Sequence, residues 1–209
     1  ALLIHEAVIN AICKNKRCSV MLTGGRSAEK IYHIWAGFQE FEQFSGIDFY
    51  FTDERWVPFN DKDNNANMTL KSLFKAGVPE GCNVYRVETD LLNASSAAFH
   101  YGKILPNIID VMILGVGEDG HIASLFPNNF SLEEQESKVI STVGSKPPSQ
   151  RITITRRVLS NAKTKIVLAP GIEKAKVLQT ALKNKANYKA IPVRLVLDST
   201  WLVDQLVEH

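Results

Sequence analysis

Residues 111–127 read VMILGVGEDGHIASLFP, a continuous apolar run followed by a glycine-rich polar stretch. A parallel strand that helices cover on both faces has an uninterrupted apolar run, because neither face meets water. Beyond the run, Gly115, Gly117 and Gly120 let the backbone turn tightly and approach a ligand closely. The segment therefore predicts a buried parallel strand whose carboxyl end opens into a functional loop.

Similar apolar runs alternate with amphipathic stretches along the rest of the chain. This alternation is typical of an α/β fold with a mostly parallel sheet, right-handed crossovers and helices on both faces. The predicted strands are Ser19–Leu22, Ile47–Phe51, Asp110–Leu114, Lys138–Thr142, Lys165–Leu168 and Val193–Leu197. The predicted helices are Leu2–Cys13, Ser27–Phe38, Asn67–Lys75, Leu92–Leu105, Gly171–Leu182 and Thr200–Val207.

The chain has the length and composition of one globular domain. Its 209 residues suffice to bury a core without disulfides or metals, and 45% of them are hydrophobic. No Pro/Gly/Ser-rich linker or internal repeat divides the sequence, so residues 1–209 are predicted to form a single domain. Because the chain starts at Ala1 rather than Met, we expect a trimmed amino terminus.

Charge, hydropathy and cysteine count restrict the partners. The net charge of +2, from 24 Lys and Arg against 22 Asp and Glu, lacks the basic excess of a nucleic-acid-binding domain. The apolar runs are far shorter than the roughly 20 residues that span a bilayer, and signal-peptide features are missing. We therefore expect a cytoplasmic protein that contacts neither nucleic acid nor membrane. Three cysteines without a CxxC pair predict neither a disulfide framework nor a zinc site.

Loops at the carboxyl ends of parallel strands are where ligands bind in such sheets. The first of these, Gly24-Gly25, leads into a predicted helix that Arg26 and Ser27 begin. Free N–H groups at a helix start form a phosphate site, and an arginine there adds bidentate hydrogen bonds. The alternative is an ordinary strand-to-helix turn with Ser27 as N-cap.

Charged residues follow the strand Ile47–Phe51 directly. Asp53 or Glu54 would orient a catalytic group, and Arg55 would bind an anion. The alternative is a surface salt bridge of little consequence for stability.

His121 stands out among five histidines because it directly follows the glycine-rich loop that begins after the predicted strand Asp110–Leu114. Histidine is the usual general base near neutral pH, so His121 is the candidate base. The other four (His5, His33, His100, His209) lie in predicted helices or at the terminus, and we interpret them as incidental.

Two further cations lie near predicted strand ends. Residues 151–155 alternate polar and apolar, which predicts a strand opened by Arg151. Lys174 lies in the first turn of a predicted helix, where a cation is unfavourable unless an anion is close. The alternatives are a strand-edge arginine and a solvated lysine.

The order and spacing of these motifs resemble the 6-phosphogluconolactonase family over nearly the whole chain. The matching segments are Gly24–Ser27, Asp53–Arg55 with Val57-Pro58, Leu114–Pro127, Arg151–Thr153, Gly171 with Lys174-Ala175, and Ile191–Val193. Ala66-Asn67 stands where the family commonly has Ser-Asn. Arg26 and Ala28 depart from the family's usual Ser or Thr and Pro.

This resemblance implies a Rossmann-type fold and the opening of 6-phosphoglucono-1,5-lactone to 6-phosphogluconate, the second step of the oxidative pentose phosphate pathway. The implied site needs no cofactor and no metal, and its partner is the phosphorylated lactone, bound by a monomer or small homo-oligomer. His121 would activate water, and Asp53 or Arg55 would position His121 or the sugar hydroxyls. Backbone N–H groups of Gly24, Gly25 or the glycine loop at residues 115–120 would stabilise the oxyanion. The phosphate would be held by Arg26, Ser27, Arg151 and Lys174.

Three other functions stay open at this point. A glucosamine-6-phosphate deaminase/isomerase shares the fold and the Asp-Gly-His loop, but its loop continues into a segment with a carboxylate, whereas this chain has Ser124–Pro127. A non-catalytic sugar-phosphate-binding regulator would need no His121. A dinucleotide-binding dehydrogenase would continue the GxGxxG pattern of residues 115–120 into a long helix, which Pro127 prevents.

Overall fold

The structure is a computed structural model, and it describes residues 1–91, 93–183 and 187–204. In this part of the chain the helices are α1 (Leu2–Asn15), α2 (Arg26–Trp35), α3 (Asn65–Ser72), α4 (Ala94–Ile104), α5 (Arg156–Ser160) and α6 (Ile172–Lys183). The strands are β1 (Cys18–Leu22), β2 (Ile47–Phe51), β3 (Asp53–Arg55), β4 (Asn83–Val84), β5 (Ile109–Gly115), β6 (Val139–Val143), β7 (Gln150–Ile154), β8 (Ala162–Leu168) and β9 (Thr200–Leu202). Short 3₁₀ helices span Phe41–Gln43, Phe130–Leu132 and Pro192–Val196.

A six-stranded sheet in the order β4-β2-β1-β5-β8-β9 forms the centre of the molecule. Every neighbouring pair in it is parallel. The α/β class and the mostly parallel sheet are therefore confirmed. The carboxyl ends of β1, β2 and β5 lie at one edge, so the loops after them meet there.

The apolar run of β5 is buried on both faces, as its sequence predicts. Val111 and Ile113 pack with helices α1, α2 and α3 on one side of the sheet. Met112 and Leu114 face the other side, where α4, α6 and the antiparallel strands cover them. All four side chains are 0–1% exposed. Alternate residues of one strand thus belong to two different cores, which is why residues 111–114 include no polar side chain.

A second sheet, in the order β3-β7-β6, is antiparallel and was not expected. Only Thr52 separates β2 from β3, so the chain leaves the parallel sheet and enters the second one within one residue. The strand predicted over Lys138–Thr142 is β6, and it pairs in this second sheet instead of the central one. The three charged residues of β3 carry no strand signal, because their burial arises only from the pairing with β7.

Two predicted elements near the carboxyl terminus are wrong. The segment Val193–Leu197, predicted as a strand, is mostly the 3₁₀ helix Pro192–Val196. Proline has no N–H for a ladder and favours the first turn of a helix, and a short apolar run cannot distinguish the two structures. The helix predicted over Thr200–Val207 begins instead as β9, which pairs with β8. Residues 205–207 of that prediction and Leu92 of another lie outside the described residues, and the single-domain assignment stays a prediction.

Candidate active site

The loop after β5 presents His121 together with a carboxylate. Oδ1 of Asp119 lies 2.5 Å from Nδ1 of His121 and also accepts a hydrogen bond from the His121 backbone N–H at 3.2 Å. The His121 side chain is 23% exposed and that of Asp119 is 29% exposed, so solvent and a small substrate can reach both. Gly117 is required beside them, because a Cβ there would overlap the imidazole ring. The loop is therefore shaped around an acid–base pair.

Asp119 is held in its charged form by its histidine. Partial burial by itself raises the pKa of Asp119, but the hydrogen bonds and charge of His121 outweigh it and bring this pKa down to about 2. The carboxylate is thus ionised at neutral pH and fixes a hydrogen on Nδ1 of the imidazole. The other ring nitrogen, Nε2, is then left as a proton acceptor.

The loop after β1 forms the neighbouring wall of the site. Gly25 has φ +95° and is the N-cap of α2, and Arg26 is the first helical residue. The alternative with Ser27 as N-cap is wrong. The buried hydroxyl of Tyr32 accepts from Thr23 N–H and donates to Thr23 C=O, both at 2.9 Å. This pair of hydrogen bonds fixes the turn, so that the first N–H groups of α2 lie at the sheet edge.

Asn65, at the start of α3, lies against this glycine turn. A Cβ on Gly24 would overlap the Asn65 side-chain amide, and Asn65 Nδ2 donates to Asp53 C=O at 3.0 Å. The residue that contacts the turn is therefore Asn65, whereas Asn67 Nδ2 donates to Asp61 C=O. The sequence interpretation, which paired Ala66-Asn67 with the family's Ser-Asn, does not identify Asn65. The run of asparagines at 64 and 65 was the available signal.

Glu54 is buried beneath Asn65 and supports the start of α3. Its carboxylate accepts from the backbone N–H of Asn65 at 2.7 Å, of Ala66 at 2.9 Å and of Arg55 at 2.8 Å. Complete burial raises the pKa of Glu54 to about 7, although these hydrogen bonds act in the opposite direction. Glu54 therefore serves the helix start and makes no contact with the acid–base pair.

Asp53 joins the antiparallel sheet to the loop after β5 through buried hydrogen bonds. Its Oδ2 accepts from Ser124 Oγ at 2.7 Å, and Ser124 N–H donates to Thr153 Oγ1 at 3.1 Å. The carboxylate that contacts His121 is that of Asp119, to which the sequence interpretation assigns no role. The catalytic role expected of Asp53 stays a prediction, as does the phosphate contact expected of Ser27. Ser124 and Thr153 were missed because their polarity is explained only by the contact between distant segments.

The predicted cations fall into two groups. Arg55 and Arg151 face each other across the β3–β7 pair. Burial lowers the pKa of Arg151, and the charge of Arg55 lowers it further. Nη1 of Arg55 donates to Asp63 C=O at 3.1 Å, while its buried Nε has no hydrogen-bond partner among the described residues.

Lys174 and Arg26 form the other group. Burial lowers the pKa of Lys174, Glu118 and Asp204 raise it, and Arg26 lowers it. Lys174 is in the first turn of α6, and Arg26 is exposed at the start of α2. The structure thus brings Arg26 and Lys174 near one another and Arg151 near Arg55. Their phosphate contacts stay predictions.

Within residues 1–91, 93–183 and 187–204, no helix is long and apolar enough to cross a membrane. The same residues contain no group of three or more His, Cys, Asp or Glu that would hold a metal ion. The expectation of a metal-free site remains a prediction.

Known proteins resemble this chain over most of its length. A family model described as glucosamine-6-phosphate isomerases/6-phosphogluconolactonase matches residues 1–204. The 6-phosphogluconolactonase of Pseudomonas aeruginosa is 31% identical over 195 residues, which cover 90% of this chain and 81% of that protein. A chloroplastic 6-phosphogluconolactonase 3 of Arabidopsis thaliana is 36% identical over 197 residues, 84% of this chain and 59% of its own length. The crystal structure of 6-phosphogluconolactonase from Thermotoga maritima superposes with a TM-score of 0.82 at 28% identity, covering 96% of this chain and 91% of that one.

Proposed function

Because the chain belongs to the family of glucosamine-6-phosphate isomerases and 6-phosphogluconolactonases, we propose that it hydrolyses 6-phosphoglucono-1,5-lactone to 6-phosphogluconate. The observation that carries this proposal is the 2.5 Å contact between Asp119 and Nδ1 of His121 at the carboxyl end of β5. Such a pair supplies a general base that activates water for attack on an ester carbonyl. Relatives that are 31% identical over most of the chain have the same activity in their names.

The acid–base pair performs both proton transfers of the reaction. Nε2 of His121 takes a proton from water while the water oxygen attacks the lactone carbonyl carbon. Asp119 stabilises the imidazolium that forms, as the third member of a catalytic triad does. When the bond from the carbonyl carbon to the ring oxygen breaks, the imidazolium returns the proton to that oxygen. One water is consumed, and the products are a carboxylic acid and a hydroxyl group.

Backbone N–H groups stabilise the negative charge that develops on the carbonyl oxygen. The glycine turn at Gly24 and Gly25 and the first N–H groups of α2 lie at the same sheet edge as His121, because β1 and β5 are neighbouring strands. Preorganised donors of this kind contribute about 3–4 kcal/mol each to transition-state stabilisation.

The cations bind the other polar parts of the substrate. Arg26, Ser27 and Lys174 hold the phosphate, since the helix start and two cations favour a dianion. Arg55, which is half-buried at the end of β3, donates a guanidinium N–H to a sugar hydroxyl. Arg151 serves the phosphate end of the substrate by holding the loop between β6 and β7, residues 144–149, through hydrogen bonds to the Pro148 and Lys146 C=O groups. We place the enzyme in the cytoplasm, acting on this small substrate as a monomer or small homo-oligomer, without cofactor.

A direct assay tests the proposal against the isomerase branch of the family. The purified protein is given fresh 6-phosphogluconolactone, and 6-phosphogluconate formation is followed after subtraction of the spontaneous rate. A parallel reaction with glucosamine 6-phosphate measures ammonia release. We expect lactone opening and no ammonia, because the segment Ser124–Pro127 contains no carboxylate where the loop of a deaminase would supply one. Ammonia release without lactone hydrolysis would reverse the assignment.

A further inference from the structure

The loop between β6 and β7, residues 144–149, reaches from the antiparallel sheet to the loop after β5. Gly144 packs so tightly on Phe126 that a Cβ there would overlap the ring. Phe126 in turn contacts His121, with ring centroids 4.6 Å apart. Further along, Nζ of Lys146 lies 3.1 Å from Oε2 of Glu118, the residue before Asp119. The β6–β7 loop thus places a cation beside the loop that carries the acid–base pair.

Arg151 fixes the backbone of this loop. Its Nε donates to Pro148 C=O at 2.6 Å, and its Nη2 donates to Lys146 C=O at 3.3 Å. Arg151 is only 5% exposed, so these donors are engaged inside the protein. A planar guanidinium that bridges two carbonyls determines where Lys146 stands more strictly than a lysine would.

Glu118 forms an ion pair with Lys146, and its charge also acts on Lys174. The ion pair with Lys146 is half exposed, at 51% for the lysine and 67% for the glutamate. Exposed pairs of this kind contribute little stability, so an anion with more charge easily replaces the glutamate as the partner of the lysine. Among nearby carboxylates, Glu118 does most to raise the pKa of Lys174 and so to favour its charged form. The positive charge of Arg26 lowers the same pKa. Glu118 therefore lies close to two cations, Lys146 and Lys174, and Arg26 is a third cation close to Lys174.

We infer that Lys146 binds the substrate phosphate, that Arg151 positions Lys146 for it, and that Glu118 is the counter-ion which the phosphate replaces. This inference rests on the proposed hydrolysis of a phosphorylated lactone. It adds a substrate-binding residue from the second sheet and gives Arg151 a positioning role. It also makes Glu118 a residue that weakens phosphate binding, since its charge competes for the same cations.

The test compares Lys146→Gln with a matched control, Lys176→Gln. Lys176 is 60% exposed on α6 and forms its own ion pair with Glu173 at 3.0 Å. We expect Lys146→Gln to lower kcat/KM for 6-phosphogluconolactone about tenfold, mainly through KM, because one charge-assisted contact is lost. Unphosphorylated gluconolactone should be opened at the wild-type rate, and Lys176→Gln should resemble wild type on both lactones.

Glu118 and Arg151 give opposite tests of the same contact. Glu118→Gln should tighten binding of 6-phosphogluconate and inorganic phosphate about threefold in calorimetry, as expected for loss of a surface pair. Arg151→Lys should raise KM for the phosphorylated lactone only. In the double variant with Lys146→Gln it should add nothing further, because both act on one contact.

The outcomes separate this inference from the proposed function. Equal losses of Lys146→Gln on both lactones, or a Lys146→Gln protein that resembles Lys176→Gln, overturn the phosphate contact while wild-type lactonase activity stands. A wild-type protein that opens neither lactone overturns the proposed function instead. Calorimetry with 6-phosphogluconate and inorganic phosphate then still decides on Lys146, since unchanged affinity in Lys146→Gln rejects it.

Discussion

The loops that follow β1 and β5 leave neighbouring parallel strands and are both rich in glycine, yet they end differently. After β1, the chain turns at Gly24 and Gly25 and enters α2 at once. After β5, no helix follows directly. Gly117 N–H instead bonds to His121 C=O at 3.0 Å, and Leu125 N–H bonds to Ile122 C=O at 2.9 Å. The first loop presents backbone N–H groups, and the second presents side chains.

This difference divides the chemistry between the two loops. A helix start provides N–H donors that stay in place without side chains, which suits the binding of anions. A loop that folds back on itself holds an imidazole and a carboxylate at fixed distance, which suits proton transfer. Substitutions in the second loop should therefore affect turnover most, and those around the first loop should affect it less.

Replacement of His121 by Asn should have the largest effect. Asn cannot take a proton from water, and loss of a general base costs roughly 10²- to 10⁴-fold in rate. The variant should fold as wild type does, which circular dichroism and thermal unfolding would check, and kcat for the phosphorylated lactone should fall by that factor. His100→Asn, an exposed position on α4, is the control. A His121→Asn enzyme that keeps more than a third of the wild-type kcat would exclude His121 as the base.

Asp119→Asn should follow with a smaller loss. The neutral amide neither fixes a hydrogen on Nδ1 nor stabilises the imidazolium, so we expect kcat to fall roughly ten- to a thousandfold while KM changes less than twofold. Steady-state kinetics on the phosphorylated lactone separate the two constants. If KM rises and kcat is kept, Asp119 binds substrate and does not support His121.

The second loop shows how much of this site was predictable from sequence. The apolar run of β5 and the glycines behind it predicted a buried strand and a functional loop, because both signals are local. The fold class followed from the same kind of local alternation. The partner of His121 is Asp119, only two residues away. Its role was not predictable, because a carboxylate in a turn can serve many purposes and the direction of its side chain depends on the geometry of the turn.

The residues that hold the first loop in place were not predictable either, for a different reason. Asn65 contacts Gly24 from a separate helix, and Asp53 meets Ser124, which is 71 residues further along the chain. Contacts of this kind arise from tertiary packing, and no periodicity in the chain reports them. The antiparallel sheet that brings these segments together begins in the charged residues Asp53–Arg55, which resemble a polar loop in sequence.

Gly24→Ala should show how closely the first loop is packed, with a loss of about tenfold in kcat/KM. The new Cβ would overlap the Asn65 amide, so the turn or Asn65 must move, at a cost of about 1–3 kcal/mol. Adding Asn65→Gly should restore part of the loss, and thermal unfolding with kinetics on all three variants gives the coupling energy.

Gly25→Ala is the control for the Gly24 experiment. Its Cβ would meet no atom within 4 Å, but the residue has φ +95°. Its defect is therefore backbone strain, which Asn65→Gly should leave unchanged. Equal rescue of both alanine variants would show that Asn65 acts on the loop as a whole and not by contact with Gly24.

Glu54→Gln should have the smallest effect on turnover, less than twofold, and should act on stability instead. Burial raises the pKa of Glu54 from 4.5 to about 7, so the folded protein binds more protons than the unfolded chain between these pH values. Stability contributed by the protonated form is then fully present below pH 4.5 and is lost as the pH rises to about 7.

Urea unfolding at pH 5 and pH 8 would measure this loss of stability. We expect the free energy of unfolding of wild type, relative to Glu54→Gln, to be lower at pH 8 by up to about 3 kcal/mol. The glutamine does not titrate, so other groups cancel in the comparison. A difference that stays constant from pH 5 to pH 8 would mean that the three backbone N–H donors keep Glu54 ionised throughout. The start of α3, and with it Asn65 on the glycine turn, would then rest on a buried charge rather than on a neutral acid.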